Sequence, residues 1–253
     1  VKSVVFTALP GLPEIAAGQD LSQTIAAAVE GAGLVPAPFD VIVVAQKIVS
    51  KAEGRTVDLR AITPSARALE LAAQTRKDAR LVEVVLSESQ EVMRAVPNVL
   101  IVRHRLGHVM ANAGVDRSNV PGAAQDQVLL LPQDPDASAE RLRTGLMARW
   151  QVPVAVLISD SFGRAWRNGV VNVAIGAAGL PSIIDRRGEY DREGRVLEMT
   201  EVGLADAVAA GAALVMGEAN EGTPVVIARG LQWMATERNA AALLRSKDQD
   251  LFR

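Results

Sequence analysis

The chain reads as an α+β protein, with mixed sheets and flanking helices. Three observations predict that class. Short aliphatic runs of strand length recur, among them Val41–Ala45, Val154–Ser159 and Val225–Ala228. Segments with apolar residues at helical spacing lie between them. The two kinds alternate without the regular rhythm of a doubly wound fold, so the sheets are expected to be mixed. At 253 residues the chain suits one domain over 1–253, built as two intimately joined subdomains.

Each element has its own local signal. Val4–Ala8 reads as a strand that stops at the Pro10/Pro13 turn. Asp20 is placed as an N-cap, with Gln23 in the reciprocal position of a capping box. Leu21, Ile25 and Val29 then give helix 21–32 its apolar stripe. Thr63 before Pro64 reads as the cap and first turn of a helix to about Thr75, with Leu69, Ala72 and Ala73 inward. Val99–Val102 and Val109–Ala111 flank Gly107 as paired strands, and Val128–Leu131 is another. Asp136 is expected to cap a helix ending near Trp150. Val154–Ser159 is a buried strand ending at Asp160, and 171–198 mixes short strands with glycine turns. Thr200 is expected to cap a helix to about Met216, with Val202, Ala205, Ala209 and Ala212 on one face.

Composition excludes several functions. There are no cysteines, so disulfides, thiolate catalysis and cysteine-ligated metals are ruled out. A net charge of −2 without basic runs argues against nucleic-acid and anionic-membrane partners. Aromatics are 3% of the chain, too few for a base-stacking platform. No apolar run reaches membrane-spanning length, and the first residues meet Pro10 too early for a signal-peptide core. A cytoplasmic protein is expected.

Neither GxxxxGK[ST] nor a strand-borne GxGxxG occurs, so phosphate binding needs another device. Three glycine-containing loops offer oxygen ligands: 112–119 with Asp116, 159–169 with Asp160 and Ser161, and 216–223 with Glu218. Hard cations such as Mg2+ take one or two carboxylates and complete the shell with phosphate oxygens and water. Arg164 and Arg167 match carboxylate and phosphate geometry and are candidate anion clamps. The same Asp and Asn residues are also ordinary turn formers. Lys47, Lys51 and Arg55 would share a helical face, with solvation or phosphates as alternative uses. His104 and His108 have metal-ligand spacing, but Arg105 stands where a zinc protease needs Glu. Ser159-Asp160-Ser161 lacks the nucleophile elbow G-x-S-x-G. Trp150, Trp166 and Trp233 are read as packing residues.

Taken in order, these segments resemble the coenzyme F-420-0:L-glutamate ligase family. The resemblance runs from Leu9 to about Leu251. It is carried by GLPEI (11–15), GQDL (18–21), SKAEGR (50–55), NAGVDRSNV (112–120), LLLPQDPDASAERLR (129–143), DSFGRAWRNG (160–169), MGEANEG (216–222) and ARGL (228–231).

The resemblance implies a two-subdomain α+β fold and a homodimer. It also implies a reaction. GTP phosphorylates the terminal carboxylate of F-420-0, and the amine of L-glutamate attacks the acyl phosphate. Further gamma-linked glutamates can follow. Mg2+ or Mn2+, two per site, and K+ as an activator are implied with it. By position, Asp116 and Asp160 match ligands of the first metal; Ser161 and Glu218 match the second. Leu12, Pro13, Glu14, Ile15, Gln46, Lys47, Lys51 and Asn119 match nucleotide contacts. So do Met216, Gly217, Glu218, Ala219, Asn220, Glu221, Gly222 and Thr223. Two other readings are a related ligase acting on another carboxylate and a non-catalytic deazaflavin-binding module.

Overall fold

The computed structural model describes residues 2–117, 126–234 and 238–250. The first half runs β1 (Val5–Ala8), α1 (Leu21–Gly31), β2 (Val41–Ala45), α2 (Gln46–Ala52), β3 (Thr56–Asp58), α3 (Ala66–Thr75) and α4 (Ala79–Ser87). A meander follows, β4 (Ser89–Val96), β5 (Val99–His104) and β6 (Val109–Ala111), and then β7 (Gln127–Leu129). The second half runs α5 (Pro135–Trp150), β8 (Ala155–Arg164), β9 (Arg167–Ala178), β10 (Ile183–Asp185), β11 (Glu201–Gly203), α6 (Leu204–Met216) and β12 (Val225–Arg229).

The main sheet has the order β1-β12-β2-β8-β9. Only its β2–β8 pairing is parallel, so the sheet is mixed, as the irregular alternation predicts. β2 and the first half of β8 are buried on both faces, which is why they read as unbroken aliphatic runs. Alternate residues feed two cores. Ile42, Val44, Val156 and Ile158 pack with α1 and α5. Val41, Val43, Ala155 and Leu157 pack under α6. A third cluster joins α3 and α4 to β5, through Leu71, Val82, Val85, Leu100 and Val102.

Local chemistry explains most boundaries. The Asp20 carboxylate accepts the Gln23 N–H at 3.1 Å, and Leu21, Ile25 and Val29 are buried, as expected. β5 and β6 pair antiparallel, with Val102 opposite Met110. Other expectations need correction. α3 is capped by Ser65, not Thr63, and its buried residues include Ala68, Leu71 and Ala72, while Leu69 is exposed. α5 is capped by Asp134. Asp136 sits inside the first turn and reaches outward, taking N–H groups from Ala177, Ala240 and Ala241. β8 does not stop at Asp160; it runs on to Arg164 and returns as β9, a hairpin longer than its glycines lead one to expect. α6 starts at Leu204, and Val202 is an exposed residue of β11. Val84 and Val85 show that α4, unassigned from the sequence, is a helix buried on one side.

Candidate active site

β2 ends at Ala45, opposite Ser159 of its parallel neighbour β8, which runs on past it. A crevice beyond the carboxyl ends of parallel strands is a common place for a ligand. Here a cavity of about 420 Å³ opens at that point. Its walls are the 12–15 loop, the start of α2, residues 159–161 of β8, and the 216–224 loop after α6.

That list brings together most of the residues singled out from the sequence. Leu12, Pro13, Glu14, Ile15, Gln46, Lys47 and Lys51 line the cavity. So do Asp160, Ser161 and the whole of 216–223. Asp116 stands beside them, with its Oδ2 2.6 Å from the Lys47 Nζ. Asn119 lies outside the described residues. Arg164 and Arg167 are not brought to the cavity in the single chain. The hairpin carries them to its exposed tip, where the Arg164 guanidinium donates to the Asn168 carbonyl. Arg55 leaves the basic face expected of it: it lies beyond α2 and binds Glu88 and the Leu131 carbonyl.

Asp116 is positioned by backbone chemistry. Asn112, Ala113 and Gly114 all have positive φ. Asn and Gly tolerate that region, which suits the sequence Asn-Ala-Gly to a left-handed turn. A Cβ on Gly114 would lie 2.8 Å from Leu131 and Met110 side-chain atoms. After the turn Asp116 pairs with Leu129, giving and taking a backbone hydrogen bond.

Asp160 and Ser161 are consecutive on β8, so they face opposite sides of the sheet. Asp160 is opposite Val173, which packs on the α1/α5 core. Ser161 is opposite Asn172, on the α6 side. Asp160 keeps some surface open to the cavity, but protein crowds its carboxyl. Burial pushes that carboxyl up to about 7. The Ser161 N–H and Lys47 oppose the shift, while Asp116 and Glu218 add to it. The three acidic groups therefore share one electrostatic field. Among the described residues no three His, Asp or Glu side chains converge into a metal cluster.

The 216–223 loop is shaped by Gly217, at φ 78° and ψ 168°, a region essentially restricted to glycine. A Cβ there would lie 2.2 Å from the Glu221 side chain, whose carboxylate accepts the Ala219 N–H. Thr223 closes the loop, its hydroxyl donating to the Met216 carbonyl at 2.9 Å. On the α2 side Lys51 pairs with Glu14 at 2.5 Å, and buried Gln46 accepts the Ser50 hydroxyl.

The histidine pair is structural. His104 is fully buried; its Nδ1 accepts the Leu106 N–H, which leaves the Nε2 proton facing Glu88 at 3.4 Å. His108 packs edge-on against Phe162. Trp233 packs against Phe39, and Trp150 against the α1/α5 core, but Trp166 is 88% exposed and is not a core residue of this chain. The sequence reading missed Asn172 as a cavity residue and gave Ser159 no role. The available signal was a lone Asn inside the aliphatic run Val170–Ile175.

A mixed-sheet α+β enzyme with a carboxylate-rich cavity beyond β2 and β8 defines a class, and sequence comparison gives the family. The model of F420-0:gamma-glutamyl ligases matches residues 11–230, and the chain belongs to that family. It is a ligase enzyme. Among its relatives is the coenzyme F420:L-glutamate ligase of Methanothermobacter thermautotrophicus, 44% identical over 96% of each chain. The protein of that name from Methanopyrus kandleri is 47% identical over 93% of this chain and 92% of its own. That of Halobacterium salinarum is 43% identical over 97% and 94%.

Proposed function

We propose that the chain joins L-glutamate to the terminal carboxylate of F-420-0 at the expense of GTP, as a step of coenzyme F-420 biosynthesis. The observation that supports this best is the cavity itself. It gathers Asp160, Ser161, Glu218, Lys47 and Lys51 from three separate segments around one space. The names of the relatives supply the substrates, F-420-0 and glutamate.

A carboxylate is a poor acyl donor until one of its oxygens becomes part of a phosphate leaving group. The reaction therefore begins with transfer of the nucleotide's terminal phosphoryl group to the F-420-0 carboxylate. The amine of glutamate then attacks the acyl carbon. The C–N bond forms from the amine lone pair. The C–O bond to phosphate breaks with its electrons on phosphate, which also takes up the amine proton.

Lys47 and Lys51 supply positive charge at the α2 wall for the phosphates. The 216–223 loop encloses the nucleotide from the other side. Asp116, Asp160, Ser161 and Glu218 form a hard-oxygen donor set that fits Mg2+ or Mn2+. Such ions accept one or two carboxylates beside phosphate oxygens and water, so a closed three-carboxylate cage is not required. When bound, divalent ions neutralise the charge that develops on the transferred phosphoryl group. Two such ions per site, K+ activation and successive gamma-linked additions belong to the same proposal, as does a cytoplasmic setting. No helix among the described residues is long and apolar enough to cross a membrane.

Incubation with F-420-0, L-glutamate, GTP and Mn2+ tests the proposal. Products heavier by glutamate units, formed with GDP and phosphate and abolished by EDTA, are expected. Intact GTP and an unchanged deazaflavin mass overturn it.

A further inference from the structure

Two buried polar side chains in the cavity wall belong to neither the metal set nor the nucleotide set. Asn172 of β9 is 4% exposed and Ser159 of β8 is 2% exposed. Both line the cavity, and both lie on the α6 side of the sheet, flanking Ser161. The Asn172 Oδ1 and the Ser159 Oγ make no hydrogen bond with any described residue. The Asn172 Nδ2 meets the thioether of Met216 at 4.0 Å, a weak acceptor. Burying an amide or hydroxyl without a partner costs stability. A valine would suit position 172 better, between Val171 and Val173 in a strand. Folding thus gives no reason for these residues, and a ligand does.

The corner they face is rich in acceptors. α6 ends there, its final carbonyls at Val215 and Met216 receiving the Thr223 hydroxyl, and Glu218 follows. The lysines of the cavity come from α2 and are engaged with Asp116 and Glu14. The missing partner is therefore a donor.

We infer that Asn172, with Ser159 beside it, binds the amine nucleophile, the amino group of the incoming amino acid. This rests on the ligase reading above. An amine attacks through its lone pair and only as the free base. A carboxylate partner favours the charged ammonium form. A neutral amide oxygen accepts one N–H without that bias and orients the lone pair away from itself. Cross-strand pairing sets Asn172 beside Ser161, in the wall of the same cavity. The C–N bond forms as the acyl C–O bond breaks onto phosphate, and Asn172 holds one N–H throughout.

The test uses the full chain carrying Asn172→Val or Ser159→Ala, with saturating hydroxylamine as a small nucleophile that traps an acyl phosphate as hydroxamate. Asn172→Val is expected to raise the KM for glutamate about tenfold or more, the size of one lost hydrogen bond to a reacting group. The KM for GTP and the rate of hydroxamate formation stay within about twofold of wild type, and Tm rises because an unpartnered amide is gone. Ser159→Ala shifts the glutamate KM in the same direction by less. If Asn172→Val does not fold, Asn172→Ala, which also removes the acceptor, and Ser159→Ala decide the matter by the same split. Unchanged glutamate kinetics in the folded variants overturn the inference. So does loss of hydroxamate in step with loss of amide, which would place Asn172 in the activation half. A wild-type chain that forms neither hydroxamate nor amide removes the ligase reading and this inference together.

Discussion

At the residue scale the site depends on charge placed where water is scarce. Asp160 has its carboxyl raised by burial and by Asp116 and Glu218. Asp160→Asn preserves shape and removes that charge. We predict a loss of turnover of about a hundredfold or more, typical for removal of a preorganised charge, with an unchanged circular dichroism spectrum. A variant with wild-type rate would contradict the assignment. His108 carries a different prediction. It is buried and its pKa is lowered to about 4, by burial first and by His104 second. Its unfolded value is near 6.5, so between these values the unfolded chain binds more protons. Stability is complete above about pH 6.5 and falls as pH drops toward 4. A shift of that size is worth on the order of 3 kcal/mol. His108→Phe, next to Phe162, is expected to flatten this part of the pH–stability curve. An equally steep curve would show that another group is responsible. Glu88 keeps its own acid limit lower: despite burial, His104, Arg105 and Arg55 hold its pKa at about 2.

At the scale of elements, loops and caps decide the geometry. Gly217→Ala forces a Cβ into Glu221 and a backbone region open to glycine. We predict a cost of about 1–3 kcal/mol in stability and a higher KM for GTP, read by denaturant titration and initial rates. Asp136 ties α5 to β9 and to residues 240–241 through three backbone N–H groups. Asp136→Ala leaves those donors unpaired and should cost about 2–4 kcal/mol, since hydrogen bonds to a charged acceptor are the stronger kind. A loss under 0.5 kcal/mol, about the size of a neutral surface change, would refute that role.

What the sequence revealed follows from the same contrast. β2, β12 and the start of β8 were legible because burial on both faces makes them continuously aliphatic. Asp160 was legible because it interrupts such a run. The choice of Asp134 over Asp136 was not, because both are good caps two residues apart and only tertiary contacts use the second. Asn172 was hidden for the opposite reason: a single polar residue in a strand says nothing of which face it takes. That depends on the register with Ser161 and on the extra residue inserted in β9 between Ala174 and Gly176. Arg164 and Arg167 looked like a clamp by nearness to Asp160 in sequence, and the strand carried them away at about 3.3 Å per residue.

For the whole molecule, part of the exposed apolar surface is grouped on two segments. Trp166 at 88% and Val170 at 56% lie on the β8–β9 hairpin, and Tyr190, Val196 and Met199 lie between β10 and β11. Apolar side chains grouped on projecting hairpins mark an association surface. We predict a homodimer in solution by light scattering, and a shift toward monomer for Trp166→Asp. A wild-type monomer at micromolar concentration would rule this out.

The ion pair between Lys47 and Asp116 would couple the two ligands of the proposed reaction. One ammonium cannot fully serve both an aspartate and an incoming phosphate. A nucleotide that draws Lys47 toward itself returns negative charge to Asp116 and makes that corner a better host for a cation. By reciprocity, under the proposed function, a cation seated at Asp116 would release Lys47 for the phosphate, and each would raise the affinity of the other by the same factor. The two ligands would then be read jointly, as in a two-key lock, and Lys47→Met is expected to make nucleotide affinity independent of the divalent cation, as checked by titration with and without Mn2+.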